Sequence, residues 1–168
     1  MCVLEGTFSM FSNNVVANAK SVNSVVNHSR KVYYNVNKHL NSYKKNQIKG
    51  EYTEYWKKKK LKKAITYPTS VSDAYVKKYI VEYYYDSENH LVFAYAYRKA
   101  KGKMQEYRAY YGTDSKLYRY IDTSGKIHDY SEGKNIKSFS NSLRYVLYKK
   151  GAYYWNLAME TEYPNLNK

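Results

Sequence analysis

The chain has 168 residues, with 29 Lys plus Arg against 14 Asp plus Glu, a formal net charge of +15 and an isoelectric point near 9.6. That length has room for one domain with a real core and too little for two, and the charge attracts polyanions such as nucleic acid, anionic lipid headgroups or the anionic polymers of a cell wall. No apolar run reaches the roughly 18 residues that cross a bilayer, and a single cysteine, Cys2, excludes an internal disulfide.

The start, Met1-Cys2-Val3-Leu4-Glu5-Gly6, lacks the basic and apolar regions of a signal peptide. Either the protein is cytoplasmic or its export signal lies outside this sequence. A cysteine directly after the first methionine fits a lipoprotein read from its lipid-bearing residue, which makes Cys2 a candidate anchor. From residue 12 to 46 the spacing predicts a helix: Val15, Ala19, Val22, Val26, Ser29, Tyr33, Val36, Leu40 and Tyr43 follow alternating steps of four and three. Ser12 or Asn13 would cap it. Its Val and Asn content makes it a mediocre helix on its own, so its stripe needs a partner, a sheet in preference to a second copy of the helix.

Lys44 to Lys49 reads as a polar hinge closed by Gly50, and residues 51–130 as an antiparallel meander. A short phrase recurs there: an aromatic strand end, a polar turn, then an aliphatic residue opening the next strand. It runs Trp56 to Leu61, Tyr85 to Leu91, Tyr111 to Leu117 and, with Ile121 in the aromatic place, Ile121 to Ile127. The strands are expected at Tyr52–Trp56, Leu61–Tyr67, Tyr75–Tyr85, Leu91–Arg98, Lys103–Tyr111 and Leu117–Asp122, with a stub at Ile127–Tyr130. Lys57 to Lys60 reads as a solvated turn, with a nucleic-acid patch as the alternative. Alternation places Leu91, Phe93, Tyr95 and Tyr97 on one face of their strand, and Val92, Ala94 and Ala96 on the other. The small residues leave room for a helix. Past Gly133 the pattern returns to helix over 136–160, with Ser138 or Asn135 as cap, Phe139, Leu143, Val146 and Leu147 as its apolar face, and Gly151 ending or kinking it.

Nothing in this pattern assembles an enzyme. His28, His39, His90 and His128 fall on helix flanks, a turn and a strand stub, with no elbow motif near a serine. His128 and Asp129 are strand neighbours and point to opposite faces. Metal-ligand spacings, calcium loops and phosphate-binding glycine patterns are absent from the sequence, so no cofactor is expected. Aromatic surface remains. The strand tyrosines are too many to bury all their hydroxyls, and Tyr83, Tyr95 and Tyr97 with Arg98, Arg108 and Arg119 are the candidate ligand contacts, able to stack on sugar rings, bases or peptide. Cross-strand tyrosine pairing that only builds a stable sheet is the competing reading, and coding bias toward Lys, Asn, Tyr and Ile competes as the source of the charge.

The order of these motifs resembles a group of uncharacterised exported bacterial proteins and lipoproteins. The residues that carry it are Ser29-Arg30-Lys31-Val32-Tyr33, Glu51 to Trp56 with Leu61 to Ile65, Val81-Glu82-Tyr83-Tyr84-Tyr85-Asp86 with Leu91-Val92-Phe93-Ala94-Tyr95, and Glu106-Tyr107-Arg108 through Leu117-Tyr118-Arg119-Tyr120-Ile121-Asp122 to Gly125-Lys126. The likeness covers about residues 29–129. It departs where Lys58-Lys59 and Glu88-Asn89 replace the group's Gly-Lys, and in the C-terminal helix. It implies an extracytoplasmic address, often lipid-anchored, and supplies no site residues. The expectation is one α+β domain: a long N-terminal helix on a six- or seven-stranded antiparallel meander, capped by a C-terminal helix. Its expected role is non-catalytic binding of an anionic wall polymer, a glycan or another envelope protein, by a monomer. The alternative is an intracellular nucleic-acid-binding module.

Overall fold

The computed structural model describes residues 21–48, 52–68, 78–140 and 142–157. Cys2, the expected caps Ser12 and Asn13, and the early turns of the expected first helix lie outside them. In chain order the elements are α1 (Val22–Lys38), β1 (Lys44–Ile48), β2 (Tyr52–Lys57), β3 (Lys60–Thr66), β4 (Ile80–Tyr85), β5 (Leu91–Ala100), β6 (Lys103–Tyr111), β7 (Lys116–Ile121), β8 (Ile127–Asn135) and α2 (Leu143–Leu157). The eight strands form one antiparallel sheet in sequence order. One strand more is present than the six or seven expected.

The extra strand is β1, which the polar stretch Lys44–Lys49 concealed. Its residues pair with β2 from Lys44 opposite Trp56 to Ile48 opposite Tyr52. A sheet edge is where lysines and amides belong, because charge there discourages pairing with another chain. The first helix accordingly stops at Lys38 instead of reaching residue 46. It begins where Ser21, in extended conformation, accepts from the Ser24 amide while the Ser24 hydroxyl donates back to the Ser21 carbonyl. His39 leaves helical geometry, and a single 3-10 turn, Leu40–Ser42, leads into β1. Val26, Ser29 and Val36 are buried as the stripe requires, and Tyr43 completes it from outside the helix.

The recurring phrase is a packing device. At the β2–β3, β4–β5 and β6–β7 hairpins the strand after the turn carries one extra residue, Lys62, Val92 or Tyr118, so that Trp56 faces Leu61, Tyr85 faces Leu91 and Tyr111 faces Leu117. All six of these paired residues are buried in the core beneath α2. The 86–90, 112–116 and 122–126 turns also share a backbone: the first amide donates to the fifth carbonyl and the fourth amide to the first carbonyl. Their fourth residues, Asn89, Ser115 and Gly125, are left-handed. Gly112 opens the second turn where the others have Asp, because a Cβ there would lie 2.4 Å from Asp114 Oδ1 and 2.7 Å from the Tyr118 ring.

The bulge at Val92 corrects the strand alternation. Leu91 joins Ala94 and Ala96 on one face, and Val92 lies with Phe93 in the cluster on the other. A helix covers each face, so the layers run helix, sheet, helix. The alanine side receives α2. The aromatic side, with Tyr84, Phe93 and Tyr110, is covered by α1. Gly151 does not end α2, which continues to Leu157. It is the point of closest approach: a Cβ there would meet Leu91 at 2.6 Å and the Tyr83 ring at 2.8 Å. β8 extends to Asn135, past the expected stub, and Asn135 caps the 3-10 turn Ile136–Phe139 that precedes α2.

Candidate binding cleft

Helix α1 lies over the end of the sheet that carries the 86–90 and 112–116 turns, and it leaves the aromatic face open along one flank. On that flank Arg30, Tyr33 and Tyr34 project from the helix one turn apart, since residues three and four positions on share a helix side. Below them β5 supplies Phe93 and Tyr95, and β6 supplies Arg108 and Tyr110, with Tyr95 opposite Arg108 and Phe93 opposite Tyr110. With Ser29 these residues line a cleft of about 470 Å³, within the range of small-molecule sites.

The walls are held by ring packing. Tyr33 stands edge-on to Tyr34 at 5.4 Å and to Phe93 at 5.8 Å, and Phe93 meets Tyr110 at 4.9 Å. Tyr95 stacks on Tyr97 at 5.0 Å with 26° between the planes. Tyr34 is 69% exposed, a large ring presented to solvent. Arg108 has its guanidinium 5.8 Å from the Tyr95 ring centre and donates to Glu106 at 2.6 Å. Burial and the bond to Glu106 push the Tyr95 hydroxyl well above the usual phenol range. The same bond, followed by Arg108, holds Glu106 below the usual carboxylate value against a burial that opposes it. Arg30 is exposed and has no ion-pair partner among the described residues.

Beside the cleft a second polar group ties α1 to the sheet. Lys63 and Glu82 form an ion pair at 2.9 Å, both largely buried. Tyr84 donates its hydroxyl to Glu82, and Asn37 of α1 accepts from Lys63 at 3.2 Å and bonds the Tyr84 hydroxyl. Burial, then Glu82, drives the Tyr84 hydroxyl far above its ordinary value.

The predicted contacts divide. Tyr95 and Arg108 line the cleft, and Tyr97 adjoins it. Tyr83 does not: it is fully buried on the opposite face against Gly151, because β4 alternates and Tyr84 takes the α1 side. Arg98 also points to the α2 side, its guanidinium 4.8 Å from the Tyr79 ring and its Nε donating to Gln105 at 2.7 Å. Arg119 is on the α1 face but is engaged in a two-pronged pair with Asp129 at 2.6 Å. His128 binds Asp122 instead, so the neighbours His128 and Asp129 do serve opposite faces. The sequence reading missed Arg30, Tyr33 and Tyr34 as a site. Their signal was Arg30 followed at three and four positions by two tyrosines, one in the apolar stripe and one beside it.

Among the described residues no group of three or more His, Cys, Asp or Glu side chains is placed to hold a metal ion, and no helix is long and apolar enough to cross a membrane. The cleft offers cationic and aromatic contact. Its serine, Ser29, is fully buried and donates to the Val92 carbonyl at 2.8 Å, which anchors the helix to the bulge. Compared with protein-family models, curated proteins and solved structures, the chain matches none.

Proposed function

We propose that the protein is a non-catalytic binding protein of the cell envelope, and that the cleft between α1 and the sheet holds an acidic sugar of a glycan or anionic wall polymer. The observation that carries this reading is Arg30 standing without a carboxylate partner among the described residues, over a cleft walled by Tyr33, Tyr34 and Tyr95 and edged by Arg108. Sugar rings stack on tyrosine faces, and a guanidinium matches a carboxylate or phosphate with two parallel hydrogen bonds. The net charge of +15 adds long-range attraction. The envelope address follows from the resemblance to exported proteins, with Cys2 as its lipid-bearing residue.

Titration calorimetry with an oligouronate and its neutral counterpart tests the cleft. Preference for the acidic sugar is expected, with a loss of roughly five- to tenfold for Arg30→Gln, the size of one partly exposed charged hydrogen bond. Equal binding of the two sugars, or an unchanged Arg30→Gln variant, rejects the reading. Tighter binding of a single-stranded oligonucleotide, weakened by Tyr34→Ala, would favour a nucleic-acid-binding module instead.

A further inference from the structure

The first three strands meet at a corner that is crowded with lysine. Lys44 and Lys45 begin β1, and Lys57 to Lys60 form the β2–β3 turn, with Lys57 opposite Lys60. Lys60 and Lys62 reach across to the next turn, to the Ser87 and Asp86 carbonyls. Lys44, Lys45, Lys57 and Lys58 are exposed and pair with no acidic group among the described residues.

This arrangement costs stability. Like charges directly opposite each other on paired strands repel. The Lys62 amine is pushed below its ordinary value by burial first and then by Lys60 and Lys57. Lys58 is left-handed, φ +53°, at the first position of a two-residue turn, where glycine or asparagine is at ease. Lys101 and Ser115 are left-handed as well, whereas Asn89 and Gly125 adopt that conformation at less cost, so what sets this corner apart is the opposition of like charges. Local cost retained without a structural return points to a ligand.

From this we infer that the corner of Lys44, Lys45, Lys57 and Lys58 is a second binding site, for the phosphates of a flexible phosphodiester polymer of the poly(glycerol phosphate) type. Lysines are point charges on flexible stems and accept repeated phosphates without fixed geometry. Trp56 and Tyr43 are buried, and Tyr55, opposite Lys45, is half-buried against the core under α1, so little ring face is presented on which a base would stack. Among the described residues the exposed large apolar side chains, Tyr34, Met104, Ile127 and Tyr153, belong to other elements, so none of them accompanies the lysines into a bilayer. β2 lies three strand spacings, roughly 14 Å, from β5 and the cleft, and the inference does not rest on what the cleft binds.

The test uses poly(glycerol phosphate) as probe, with a single-stranded oligonucleotide of equal charge and phosphatidylglycerol vesicles as comparisons. Binding is measured from low to physiological salt. The corner variant is Lys44→Gln, Lys45→Gln, Lys57→Gln and Lys58→Asn. A variant of equal net charge carries Lys31→Gln, Lys38→Gln, Lys99→Gln and Lys126→Gln. The corner variant is expected to lose at least about tenfold in affinity for poly(glycerol phosphate) at low salt, and its log–log salt slope to fall by roughly 0.7 per lysine removed. The charge-matched variant should lose much less. Lys58→Asn alone should keep or raise the melting temperature, which separates the lost phosphate contact from damage to the turn. Equal losses in the two quadruple variants would reduce the effect to overall charge and overturn the inference. So would tighter binding of the oligonucleotide, or binding to vesicles alone.

Discussion

The Arg108 guanidinium and the Glu106 carboxylate meet at 2.6 Å, two residues apart on β6 and on the same face of the sheet. Glu106 therefore occupies, from within the protein, the cation that an acidic sugar would seek at the mouth of the cleft. Replacing Glu106 with Gln should free Arg108 and raise affinity for the oligouronate by about two- to fivefold, the worth of a partly exposed pair. Calorimetry on wild type and Glu106→Gln decides it. An unchanged affinity in a wild type that does bind would remove Arg108 from the contact set and leave Arg30 as the anion contact.

Asp86 fastens α1 to the sheet. It is almost fully buried; Oδ1 accepts the Glu88 and His90 amides at 2.9 Å, and Oδ2 faces His90 at 3.2 Å and His28 of α1 at 3.4 Å. Burial opposes its ionisation, but the two amide bonds and His90 prevail, and its carboxyl lies below the ordinary value. The unfolded chain therefore takes up the proton first. Stability from this carboxylate is complete above the ordinary Asp range and drains away as pH falls through the lower native value. Asp86→Ala should cost about 2–3 kcal/mol at neutral pH in urea unfolding. Asp86→Asn should cost less and flatten the acid limb of the stability curve; an acid limb as steep as in wild type would assign that limb to other carboxylates.

The buried pair Lys63–Glu82 is expected to be fragile to single replacement. Lys63→Met leaves Glu82 with the hydroxyls of Tyr84 and Tyr97 as its hydrogen-bond partners among the described residues. A cost of about 3 kcal/mol is expected, and Lys63→Met with Glu82→Leu should recover most of it, because the penalty is a stranded charge and not the loss of a strong bond. Urea midpoints of the two variants provide the comparison.

Alanine at an exposed helical glycine ordinarily stabilises by about 1 kcal/mol. At Gly151 the sign should reverse. The added methyl would press on Leu91 and on the fully buried Tyr83 ring, and would disturb the bond from the Tyr85 hydroxyl to the Gly151 carbonyl at 2.7 Å. Overpacking of this kind outweighs the helix gain by about 1 kcal/mol. Thermal unfolding of Gly151→Ala beside Lys149→Ala, an exposed position on the same helix, checks it; a rise in melting temperature at Gly151 would mean that α2 can shift away from the sheet.

What the sequence determined by itself is what depends on near neighbours. The hairpin phrases, the antiparallel order and the helix stripe all follow from residues within a few positions of one another, and in each case the period or the turn residue carries the information. β1 carries no such signal because an edge strand needs no apolar alternation, and the stripe runs past the end of the helix because Leu40 and Tyr43 continue it after the backbone has changed. The tertiary structure alone decided the rest. One inserted residue in each of three hairpins, invisible to a strict two-residue period, sets Leu61, Leu91 and Leu117 opposite Trp56, Tyr85 and Tyr111 and puts Leu91 on the α2 face with Ala94 and Ala96. The cleft is likewise a product of distance in sequence. Arg30 and Arg108 share it only because α1 crosses β5 and β6, and Tyr83 is excluded from it only because the strand beside them turns its ring to the other side.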